Sequence, residues 1–168
     1  SLPLSQLVEF NHTQHLSHFY AYIQEALQEL GHSSLAQRGM GSVAQWQREN
    51  GSVPGYFDVD WVCSTGLSQL ALVWYRLSAE VEVDAASTSE YAARGDAALL
   101  YVFSNLQLVS GGFRGSSGRG STYFPADEIS WAVKYALDAI LAVPMSHFSQ
   151  RISVDSFPDA ISLSDPRV

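Results

Sequence analysis

Four acidic side chains in this sequence are placed to do chemistry together. Asp58 and Asp60 sit in the stretch Gly55-Tyr-Phe-Asp-Val-Asp60, and Asp127 and Glu128 follow Pro125. Two carboxylates across one cleft are what general acid and general base catalysis of glycosidic-bond chemistry uses. Near each pair lie large aromatic residues: Trp61 beside the first, Tyr123, Phe124 and Trp131 beside the second. Flat rings next to polar groups suit the C–H faces of sugar rings. Arg114 or Arg119, on a glycine-rich stretch, can hold an anionic group, and Lys134 lies three residues past Trp131. Trp61, Arg114, Tyr123, Trp131 and Lys134 are therefore the candidate ligand-binding residues, and the four carboxylates the candidate catalytic ones. The same positions also suit plainer roles. Acids at helix N-termini cap and complement the helix dipole, and aromatic rings pack between helices.

Other chemistries lack parts. His12, His15 and His18 are spaced by three, but no further ligand lies nearby, so no metal site is assigned. Cys63 is the single cysteine, which excludes a disulfide framework, and it reads as a small buried residue rather than a nucleophile. Gly115-Ser-Ser-Gly-Arg-Gly120 has the glycines of an anion cradle without the lysine of a P-loop. No cofactor motif is present.

The elements that must position these residues are helices. Leu16, Phe19, Tyr20, Ile23, Leu27 and Leu30 step by three and four along one helical face, and Gly31 supplies a stop. Further helices are expected over 34–47 and 65–77. A fourth, over 88–107, would be opened by a Ser87/Glu90 capping box. The fifth, from Pro125 to Pro144, would hold Asp127 and Glu128 in its first turn. Residues 97–103 are apolar nearly all round and predict burial on several sides. Residues 79–86 fit a short strand or a loop. The expected organisation is a helical domain over 1–143 and a tail or linker over 144–168.

Two segments repeat. Val43, Gln47, Gly51, Val53 and Gly55 correspond to Phe103, Gln107, Gly111, Phe113 and Gly115, with an offset of 60 throughout. Each copy ends one helix, passes through a glycine loop and begins another. Helix–loop–helix repeats bury their faces by stacking, so the expected fold is all-α, a set of stacked helical hairpins.

The Gln-x3-Gly-x-aromatic element resembles that of the α/α toroids of terpene cyclases and protein prenyltransferases, a fold also used by uronyl hydrolases, polysaccharide lyases and sugar epimerases. The strings 61–77, 111–115 and 123–138 resemble a helical domain of bacterial polysaccharide-biosynthesis proteins that precedes a class I methyltransferase. The resemblance implies a partial α/α toroid serving as a glycan-binding or glycan-processing accessory domain. Its alternatives are an enzyme on uronic-acid-type sugars and a structural dimerisation module. It also implies self-association or a neighbouring methyltransferase domain, and no glycine-rich cofactor loop of such an enzyme occurs in this chain.

Composition removes several classes of partner. Nine Lys+Arg against seventeen Asp+Glu leave a charge of −8 over 168 residues, the wrong sign for nucleic acid. Apolar residues make up 46%, enough for a core, yet no run approaches the roughly 18 needed to span a membrane. With no signal-like segment, the expected location is cytoplasmic.

Overall fold

The computed structural model describes residues 10, 16–80 and 84–144. Five helices carry the fold: α1 (Ser17–Glu29), α2 (Ser33–Ala44), α3 (Ser64–Ser78), α4 (Ala85–Asn105) and α5 (Ser130–Leu141). The all-α expectation holds. Helix α3 lies between α1 and α5, while α2 packs on α1 and α3, and α4 packs on α3. Almost every residue of α3 is buried, including Leu67, Leu70, Trp74 and Leu77. The all-round burial expected of α4 thus belongs to α3. Ala98, Leu99 and Val102 of α4 face the core, but Leu100 is 69% exposed.

Local signals explain the helix ends. Gly31 adopts φ 77° and donates to Gln28 O, while His32 N–H reaches Leu27 O, which closes α1 in a Schellman turn. Helix α4 starts three residues before the expected position because Asp84, not Ser87, caps it. Asp84 Oδ1 accepts from the backbone N–H groups of Ala86 and Ser87, each at 3.0 Å. Glu90 pairs instead with Arg94, one turn on. Helix α5 begins later than expected, at Ser130, so Asp127 and Glu128 precede it. Two backbone bonds hold the chain outside the helix there, Gly115 N–H to Asp127 O and Ile129 N–H to Phe113 O. Residues 81–83, inside the stretch expected as strand or loop, and the tail from 145 lie outside the described residues.

The repeat appears as matching hydrogen bonds. Gln47 Nε2 donates to Gly51 O and Gln107 Nε2 to Gly111 O, both at 3.2 Å. Arg48 N–H reaches Ser52 O, and Leu108 N–H reaches Gly112 O. Gly51 and Gly111 share a left-handed backbone, φ 86° and 93°. Each loop then braces the start of an earlier helix: Gly55 O accepts from Ser17 N–H of α1, Gly115 O from Ser64 N–H of α3. The second loop also makes a two-residue antiparallel ladder, β1 (Val62–Cys63) with β2 (Ser116–Ser117), which the sequence reading did not foresee.

The two glutamines are not equally committed. Gln47 also donates to Arg94 O and accepts from Arg94 Nη1, tying α2 to α4, whereas Gln107 is exposed and makes the single loop bond. Gln47→Leu is expected to lower stability by about 1–3 kcal/mol, and Gln107→Leu by about 1 kcal/mol or less. Urea unfolding of the two variants checks this ordering.

Candidate functional site

The glycine loop and the start of α5 build an aromatic corner. Gly115 N–H also bonds Phe124 O at 3.0 Å. A Cβ at Gly115 would meet Tyr123 O and the Phe124 side chain at 2.6 Å, so only glycine lets the loop lie this close. Phe124 is held at φ 48°, a left-handed conformation that costs a bulky residue strain. Its ring contacts Tyr123 at 5.1 Å and Trp131 at 5.8 Å, both edge to face. Trp131 Nε1 donates to Tyr123 Oη at 2.9 Å, which fixes the indole. Phe124 and Trp131 remain 44% and 40% exposed. Burial pushes the Tyr123 hydroxyl above its usual titration range.

Trp61 lies beneath this corner rather than on it. It is only 3% exposed, packed on Tyr56 and backed by Gly55 and Gly118. Its ring presents no open face for stacking, a correction to the expected ligand contact. Arg114 is half-buried beside Gly115, and its Nε finds no hydrogen-bond partner among the described residues.

The candidate carboxylates occupy separate surroundings. Asp58 and Asp60 line a cavity of about 620 Å³ with Trp46, Arg48 and Phe57. Asp60 lies 3.7 Å from Arg48. Glu128 accepts from Ser110 Oγ at 2.8 Å, and Asp127 is exposed. No hydrogen bond joins the first pair to the second. Among the described residues no group of three or more His, Cys, Asp or Glu side chains is arranged to hold a metal ion. His12 and His15 lie outside those residues. Cys63 is fully buried at the start of α3, and burial pushes its thiol up to about 12.

Lys134 is drawn into a different place. With Tyr22, Glu25, Glu29 and Tyr135 it lines a groove of about 530 Å³ between α1 and α5. It bonds Asp138 at 2.7 Å, which raises its own titration point, and sits 3.9 Å above the Tyr135 ring. Beside the groove His18 packs edge-on against Tyr135 and bonds Gln69. Positions 18, 22, 25 and 29 share one face of α1, a spacing that the sequence does carry.

Burial lowers the titration point of His18, opposed by the Gln69 bond and the Glu25 charge. An unfolded histidine takes a proton near 6.5. Between that value and the lower folded one the unfolded chain binds more protons, so stability falls as pH drops. The wild type should lose stability between pH 7 and 5 more steeply than His18→Gln, as read by urea unfolding at each pH.

This architecture is that of a partial α/α toroid. A solved structure of an unsaturated glucuronyl hydrolase variant with one Asp-to-Asn change, paired with the saccharide dGlcA-Glc-Rha-Glc, matches it with a TM-score of 0.59. The match has 17% identity and covers 77% of this chain and 38% of that one, so the present chain spans well under half of that enzyme's length. No family model and no curated protein matches the sequence. No helix among the described residues is long and apolar enough to cross a membrane.

Proposed function

We propose that the domain binds a saccharide on the aromatic corner of Tyr123, Phe124 and Trp131. The observation that carries this reading is the pair of half-exposed rings fixed by a hydrogen bond and by a strained Phe124 backbone. A phenylalanine at positive φ carries backbone strain, and such strain clusters at binding and active sites. Arg114 precedes Gly115, whose N–H bonds the Phe124 carbonyl. The likeness in fold to a glycan-processing toroid supports a carbohydrate ligand. Binding is favoured over catalysis because Asp60 and Glu128 are each engaged by separate neighbours, Arg48 and Ser110. The polysaccharide-biosynthesis setting and the adjoining methyltransferase rest on the sequence resemblance alone. A partner of that kind, or a second copy, would find Leu137 and Leu141 exposed along α5.

Calorimetric titration with neutral and uronate-containing oligosaccharides, dGlcA-Glc-Rha-Glc among them, tests the reading. Trp131→Ala should weaken binding roughly tenfold while leaving the unfolding transition in place. Equal binding by the variant, or no heat with any saccharide at millimolar concentration, overturns it.

A further inference from the structure

The groove between α1 and α5 adjoins a hydrogen-bond relay whose direction is fixed by chemistry. Glu25 Oε1 lies 3.4 Å from Arg76 Nη1, and Glu25 Oε2 accepts at 2.7 Å from Gln69 Nε2. An ion-paired carboxylate has no hydrogen to give, so the Gln69 amide must turn its nitrogen toward Glu25. Gln69 is fully buried and cannot swing to water. Its oxygen therefore faces His18, 2.9 Å from Nδ1, and an amide oxygen only accepts. The imidazole proton must reside on Nδ1, which leaves the lone pair on Nε2.

We infer that Glu25, acting through Gln69, holds His18 as a preset acceptor at Nε2, and that the neighbouring groove takes a neutral, hydroxylated small molecule that donates one hydroxyl to it. The surroundings select that chemistry. Tyr22 and Tyr135 give the groove aromatic walls suited to the apolar face of a polyol ring. Its charges nearly cancel: Glu25 and Glu29 pair with Arg76, and Asp138 with Lys134, which leaves one net negative charge and, among the described residues, no free cation for an anion. The low titration point of His18 keeps the acceptor unprotonated at neutral pH. Nε2 has no partner among the described residues. Glu25 and Gln69 are positioning residues here, and His18 is the group that meets the ligand.

Imidazole nitrogen NMR on the full chain tests the relay. The wild type should carry its neutral-form proton on Nδ1, whereas Gln69→Leu and Glu25→Gln should shift the population toward Nε2–H. A wild-type proton on Nε2, or a distribution unmoved in both variants, overturns the inference. The ligand half is read with methyl β-glucoside at millimolar concentration. It should perturb His18 Nε2 in the wild type and in Trp131→Ala alike, and the response should fade once acid protonates Nε2. Failure of the aromatic corner leaves this response intact. The absence of any shift at Nε2 with the glucoside overturns the hydroxyl-donor site.

Discussion

Gly51→Ala should cost the fold about 3 kcal/mol or more, and Gly111→Ala only about 1–2 kcal/mol. The two glycines hold equivalent repeat positions with nearly the same φ, 86° and 93°. A Cβ at either one strains the left-handed backbone, and that shared cost is about 1–2 kcal/mol. Their surroundings differ. At Gly111 an added Cβ meets nothing within 4 Å, but at Gly51 it runs into the Ala97 carbonyl of α4. That obstacle is helix backbone, which cannot rotate aside as a side-chain tip would. Relief requires α4 to move away from the loop, and Gln47 and Arg94 bind the two together at that point. Urea unfolding of both variants reads the difference. Equal losses would mean that α4 yields freely and that the first loop is no more tightly packed than the second.

The repeat could be seen in the sequence because its residues do backbone work. Gln47 and Gln107 bond loop carbonyls, and Gly51 and Gly111 supply left-handed turns, so identity at those positions is tied to geometry rather than to neighbours. Helix faces were read less well for a related reason. The apolar stripe of α1 places Leu16 and Tyr20 inward, as found, but it also predicts Phe19 and Leu30 inward, yet both are exposed, and Ser17, Ala21 and Gln24 are buried beside Tyr20. A periodicity count weights hydrophobic side chains and takes no account of where two backbones approach closely. Here small and polar residues sit inside because Gly66 on α3 and Gly39 on α2 admit them. The aromatic corner was partly legible, since Tyr123, Phe124 and Trp131 lie within nine residues of chain. The buried state of Trp61 was not, because Gly118, 57 positions on, folds back to cover it. The relay through Gln69 was likewise hidden. His18 and Glu25 share a helix, but the amide that joins them comes from α3, and nothing in its local sequence marks it.

The second large effect joins this packing to the site. An alanine in place of an exposed helical glycine normally stabilises by about 0.5–1 kcal/mol, because glycine loses more backbone entropy on folding. Gly41 of α2 meets that condition, with nothing within 4 Å of an added Cβ, and Gly41→Ala should gain about that much. Gly66 of α3 has the opposite environment. An added Cβ there would meet Ser17 Oγ and lie 2.6 Å from the His18 backbone nitrogen, so the first turn of α1 must retreat. Overpacking of this kind costs about 1–3 kcal/mol or more and overrides the propensity gain. Gly66→Ala should therefore lower stability by about 2 kcal/mol. The retreat also carries His18 away from Gln69, one turn further along α3, and lengthens the 2.9 Å bond between them. Such a variant should lose stability and release the His18 tautomer together, whereas Gly41→Ala should leave the tautomer as it is. A stabilised Gly66→Ala protein with an unchanged imidazole spectrum would mean that α1 and α3 do not meet as closely as their glycine contact requires.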